Sequence, residues 1–213
     1  DYKGATLQYK DVARKIEKMH ILLTQCGIKQ GDKIAICGRN SANWTATFLG
    51  IITYGAVAVP ILHEFKADNI HNIVNHSEAR LLVVGDQVWE NLNEADMPNL
   101  EGIIELKDFE LVVSRSEQLT HVYEHLNEEF GHRYPYKFRA SDVSYRREQP
   151  EELAIINYTS GTTGYSKGVM LPYRSIVSNI MDIRSKIELK PGDHIVSMLP
   201  LGHIFGLVFD FIF

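Results

Sequence analysis

Lys33-Ile34-Ala35-Ile36-Cys37 is followed by the turn Gly38-Arg39-Asn40-Ser41, a helical run from Trp44 to Tyr54 closed by Gly55, and Ala56-Val57-Ala58-Val59-Pro60. The reading of this stretch decides the fold. A short apolar run with a turn on each side is a strand buried on both faces. Pro60 is expected to end the second strand, because proline has no N–H for a sheet ladder. Strand, helix and strand in this order imply parallel pairing, since parallel neighbours need a crossover of helical length.

The same alternation extends outward. Before it, Val12, Ile16, Met19, Leu23 and Cys26 recur at steps of four and three, one face of a helix that Gly27 ends. After it come a helix over Ala67–Ser77, a strand over Leu81–Val84 stopped by Gly85, a short helix over Gln87–Leu92, a strand over Gly102–Leu106 and a helix over Ser116–Phe130. Further on, a strand is expected at Leu153–Tyr158, a strand-like run at Val169–Leu171, a helix at Arg174–Ile187 and a strand at His194–Met198. The fold class is α/β, a mostly parallel sheet with helices on both faces. Gly131 to Pro150 breaks the pattern: it is poor in aliphatics, and its Arg and Tyr residues are diluted by acids, so it reads as a solvated connection.

The 213 residues carry 22 Lys plus Arg against 27 Asp plus Glu, a net charge of -5. That balance argues against nucleic acid, whose binding leans on surplus cations. Cys26 and Cys37 sit in apolar settings and read as buried thiols of a reducing, cytoplasmic compartment. No stretch approaches the ~20 apolar residues of a membrane span. The chain opens on Asp1 and closes on the apolar run Leu207 to Phe213, which leads to the expectation of a piece cut from something longer.

The strongest local signal is Tyr158-Thr159-Ser160-Gly161-Thr162-Thr163-Gly164-Tyr165-Ser166-Lys167-Gly168, directly after the apolar Ala154-Ile155-Ile156. A strand feeding a loop of glycines, hydroxyls and one lysine suits a polyphosphate. Glycines let the backbone approach closely with its N–H groups, hydroxyls donate without adding charge, and Lys167 supplies a mobile cation. It is not the ordinary P-loop, which would place glycine at 166 and a hydroxyl at 168, and it runs into Val169-Met170-Leu171-Pro172 instead of a helix. The grip must therefore come from the loop itself. His121-Val122-Tyr123-Glu124-His125 matches H-x-x-E-H, but both histidines fall opposite the face of Leu119, Val122, Tyr123, Leu126 and Phe130, so a zinc hydrolase is a weak rival. His71 and His76 share no helix face and receive no role.

Residues 158–168 resemble the phosphate-binding signature of the adenylate-forming enzymes, which include acyl-CoA synthetases, peptide-synthetase adenylation domains and beetle luciferases. Gly31 to Ile36, Asn40-Ser41 with Trp44, and Gly55 to Pro60 are similar to that family's N-terminal core. Met198-Leu199-Pro200-Leu201-Gly202-His203-Ile204-Phe205-Gly206 resembles its next motif, and the whole looks most like the long-chain fatty-acid–CoA ligase branch. The resemblance implies that a carboxylate attacks the α-phosphate of Mg-ATP to give an acyl-adenylate, after which the thiol of coenzyme A displaces AMP. It further implies that Thr159, Ser160, Gly161, Thr162, Thr163, Gly164 and Lys167 hold the β- and γ-phosphates, that Thr159 contacts Mg²⁺, and that His203 lies at the mouth of the acyl pocket.

Partners on this reading are ATP, a carboxylic acid and CoA, with peripheral membrane association and a homodimer left open. Residues 1–130 would be a first α/β part, 131–152 a polar connection and 153–213 the phosphate-loop part of a partial N-terminal domain. The C-terminal domain would be absent and the piece inactive alone. The family often has proline at the place of Ser166 and Thr-His at the place of Pro172-Tyr173. The alternatives are an amino- or aryl-acid adenylation domain and a nucleotide-binding module without chemistry.

Overall fold

The structure is a computed structural model and describes residues 7–159, 166–188, 190, 192–194 and 196–212. Helix α1 (Tyr9–Gln25) buries Ile16, Met19 and Leu23 and ends where Gly27 takes a φ of 67°. Strand β1 (Lys33–Cys37) leads to α2 (Ala42–Tyr54). The Ser41 side chain caps α2 by accepting from the Trp44 N–H at 3.1 Å, and Gly55 closes it with a φ of 95°. Then follow β2 (Val57–Ile61), α3 (Ala67–His76), β3 (Ala79–Val84), the single turn α4 (Asp86–Trp89), β4 (Gly102–Glu105) and β5 (Leu111–Ser114). Helix α5 (Glu117–Arg133) precedes the polar connection, and β6 (Leu153–Thr159), β7 (Lys167–Pro172), α6 (Tyr173–Lys186) and the short α7 (Ile204–Gly206) complete the order, with a π-helical turn over Leu207–Ile212.

The described strands form one sheet in the order β5-β4-β3-β1-β2-β6-β7. The inner five are parallel, and β5 and β7 run antiparallel at the two edges. Alternation sorts the core strands between two layers. Ile34, Ile36, Leu81 and Val83 meet Trp44, Phe48 and Leu23 on one face, while Ala35, Cys37, Leu82 and Val84 meet Ile70, Ile73 and Val74 on the other. Both cysteines are buried free thiols, and burial pushes Cys37 up to about 12 and Cys26 to about 11, so neither is a thiolate at neutral pH. Among the described residues, no helix is long and apolar enough to cross a membrane.

Three expectations need correction. Pro60 lies inside β2, opposite Ile36. The Val57 N–H donates to Asp32 at 2.8 Å, so by alternation Val59 and Ile61 also face β1, and Pro60 faces β6. Among the described residues, the one pair in register on that side is Ala58 with Ile155, as expected where a proline has no N–H to carry the ladder further. Strand β5 has no counterpart in the sequence reading. Its turn is made by Phe109 at a φ of 65°, not by a glycine or asparagine. The strand expected at His194–Met198 is not found over its described residues: Val196 is 74% and Met198 81% exposed, with no neighbouring strand to pair with.

The start of β6 is fixed by a two-pronged ion pair. Arg146 reaches the Glu152 carboxylate at 2.7 and 2.8 Å, and this guanidinium draws the Glu152 carboxyl down to about 2. A depressed carboxyl stabilises the fold above its ordinary value of 4.5, and that stabilisation is lost as pH falls toward about 2. The melting temperature of Arg146→Met is therefore expected to lie below that of the parent at neutral pH, with the gap closing as pH falls through this window. A gap that stays constant across it would contradict the pair's role.

Candidate functional site

Strand β6 is apolar apart from Asn157 until its end. Tyr158 pairs in register with Gly168 and Thr159 with Lys167, so the last pair of this hairpin sets a hydroxyl beside an ammonium-bearing side chain. Both Thr159 and Lys167 are exposed. Gly168 is required by close approach, because a Cβ there would lie 2.9 Å from Ile156 Cγ2 and 3.1 Å from Tyr158 Cζ. Ser160, Gly161, Thr162, Thr163 and Gly164, the middle of the predicted loop, lie outside the described residues.

His203 is brought to the same end of the sheet by two asparagines that the sequence reading gave no role. Asn157, buried in β6, donates to the Gly202 carbonyl at 3.0 Å. Asn40, just past β1, donates to the Leu199 carbonyl at 2.8 Å and accepts from the Leu201 N–H at 2.9 Å. Gly202 lies so close to β2 that a Cβ would come within 2.8 Å of the Ile61 carbonyl oxygen. An asparagine inside an otherwise apolar strand was the available signal, since a buried amide demands a partner.

The His203 ring is exposed, and its Nδ1 accepts from the Phe205 N–H at 3.2 Å, capping α7. A neutral ring accepting at Nδ1 carries its proton on Nε2, so the free edge is a donor. It borders a cavity of about 310 Å³ shared with Leu62, Glu64 and Phe205.

Phe205 also lines a second cavity of about 590 Å³, which runs from Thr159 along Val169, Leu171 and Ile183 to Val208. Its walls are largely aliphatic and aromatic, and Thr159 is common to this cavity and to the hairpin end. At the same end of the sheet, Arg39, His63 and Lys66 line a third cavity of about 580 Å³ with Gly85 and Asp86, beyond the carboxyl ends of β1, β2 and β3. Open α/β sheets take ligands at such places.

His121 and His125 stack at 4.4 Å on the exposed side of α5, with His125 Nδ1 against the His121 carbonyl. Among the described residues, the one group of three grouped metal-type ligands is Glu105, Asp108 and Glu110, at the β4–β5 turn, and neither histidine belongs to it.

The sequence profile described as AMP-binding enzyme matches residues 1–213. The chain is similar to long-chain-fatty-acid–CoA ligase 5 of Rattus norvegicus, 29% identical over 228 residues that cover 96% of this chain and 32% of the relative. It is also similar to 4-coumarate–CoA ligase-like 9 of Oryza sativa subsp. japonica, 27% identical over 206 residues covering 96% and 35% of the two chains. The crystal structure of a long-chain-fatty-acid-CoA ligase from Archaeoglobus fulgidus superposes with a TM-score of 0.68 at 25% identity, over 93% of this chain and 36% of that one. The chain thus spans about a third of the length of these relatives.

Asn157→Ala leaves the Gly202 carbonyl without its donor. A loss of about 1–3 kcal/mol is expected in urea unfolding, together with a shift of the His203 ring resonances. Unchanged His203 resonances would show that the asparagine does not set that loop.

Proposed function

We propose that this chain, which belongs to the AMP-binding enzyme family, forms the phosphate-gripping part of an enzyme that activates a carboxylic acid with ATP and passes the acyl group to coenzyme A. One observation carries the reading: Thr159 belongs both to the hairpin end that it shares with Lys167 and to a mainly apolar cavity of about 590 Å³. An acid with a long apolar chain, joined to a nucleotide phosphate, needs those two environments side by side. The acid class favoured is therefore a fatty acid.

In the first step a carboxylate oxygen attacks the α-phosphorus of ATP, the bond to the bridging oxygen breaks, and pyrophosphate leaves. The Lys167 ammonium offsets the charge gathering on the departing phosphates. On this reading the Nε2–H of His203, whose ring borders a cavity of about 310 Å³, donates to the acid's carboxylate and orients it. In the second step the thiol sulfur attacks the acyl carbon, AMP leaves, and the thiol proton is given up. The cavity of Arg39, His63 and Lys66 suits the phosphates of the thiol carrier, since no ion pair holds any of the three among the described residues. Mg²⁺, carried in with the nucleotide, would neutralise phosphate charge. It keeps several waters and phosphate oxygens and asks little of the protein, so the single hard oxygen of the exposed Thr159 hydroxyl fits it.

The 213 residues are expected to bind tripolyphosphate in calorimetry and to give no ATP–pyrophosphate exchange with a long-chain fatty acid. Lys167→Met should weaken binding by about tenfold, the worth of one charge-assisted hydrogen bond. Equal binding by the variant, or no binding by the parent, would overturn the assignment of the hairpin. Robust exchange would overturn the inactivity of the piece.

A further inference from the structure

His76, at the end of α3, makes a hydrogen bond of 2.7 Å between its Nδ1 and the hydroxyl of Tyr158, and the two rings meet edge-on at 5.8 Å and 86°. Tyr158 is the residue before Thr159, and it is held at both ends. Its ring lies where Gly168 leaves room for it: a Cβ at 168 would come within 3.1 Å of Cζ and 3.3 Å of the hydroxyl oxygen. The hydroxyl meets the imidazole of His76, which is itself exposed. Burial raises the phenol above its ordinary value, so the hydroxyl stays neutral and keeps this bond.

Apolar packing alone would fix the ring in its layer with Ile70, Ile73 and Val74, and a phenylalanine would fill the same volume. What the hydroxyl adds is a directional tie from a helix on one face of the sheet to the last turn of backbone before Thr159. The two pairs Tyr158–Gly168 and Thr159–Lys167 are consecutive, so any tilt of Tyr158 passes directly to the spacing of the hydroxyl and the ammonium.

We propose that His76 is a positioning residue: through the Tyr158 hydroxyl it fixes the open end of the β6–β7 hairpin and so holds Thr159 opposite Lys167. The consequence for ligand binding rests on the phosphate reading of that hairpin, whereas the mechanical role does not.

Two readouts separate them. Hydrogen exchange at the amides of Thr159, Lys167 and Gly168 reports the hairpin end, with the amides of β1 as the control for an intact fold. Tripolyphosphate calorimetry reports the grip. His76→Ala and Tyr158→Phe are each expected to speed exchange at the hairpin end about three- to tenfold. Their combination should do no more than either alone, because both remove one shared bond. His76→Asn, whose amide nitrogen falls near the place of Nδ1, should restore parent exchange. Tripolyphosphate affinity should fall and recover in step. Unchanged exchange in the single variants, or effects that add in the double variant, would overturn the role of His76. Faster exchange in a protein whose parent binds no tripolyphosphate would uphold that role and sink the phosphate reading alone.

Discussion

A parallel sheet has no face to leave to water, because the crossovers that connect its strands lie on both sides. In this chain the constraint falls on the five strands β4, β3, β1, β2 and β6, whose residues divide between two buried layers. Polar chemistry is thereby driven off the faces and out to the strand ends. The one short connection this sheet makes at such an end, apart from the β4–β5 turn, joins β6 to β7, because antiparallel partners need no crossover.

Among the described residues, one buried polar side chain lies inside a strand, that of Asn157. Asn157 gives its amide to Gly202 and so ties the end of β6 to the loop that carries His203. Gly202 and Gly168 lack side chains where backbone or ring approaches within about 3 Å, so both close contacts depend on sequence positions that tolerate no Cβ. Position and packing thus fix where the exposed groups Thr159, Lys167 and His203 stand, although the three contribute little burial themselves. The apolar cavity beside them is bordered by the partly packed α6 and α7, and Met170, Met181 and Phe205 are largely exposed on this part of the molecule.

Sequence alone reached most of the sheet. Strand β1 was read over its observed span because an uninterrupted apolar run between turn residues admits little else. Strand β5 escaped because it is a short edge strand whose turn residue, Phe109, gives no turn signal. The run at 194–198 misled for the opposite reason: apolar residues suggest a strand, but a strand exists only where a neighbour offers a ladder, and Val196 and Met198 face solvent. At the candidate site, the sequence offered Thr159 and Lys167 as phosphate chemistry and His203 through the family resemblance. Asn40, Asn157 and His76 were not legible, because their partners lie far away in sequence and helical or strand periodicity says nothing about contacts between elements.

The central claim is that the hairpin end of Thr159 and Lys167, and not the basic cavity of Arg39, His63 and Lys66, receives the polyphosphate. Titration of the isotope-labelled chain with magnesium tripolyphosphate, followed by amide chemical shifts, tests it directly. The account predicts saturable shifts centred on Thr159, Lys167 and Gly168. Shifts centred on Arg39 and Lys66 with the hairpin silent would contradict it.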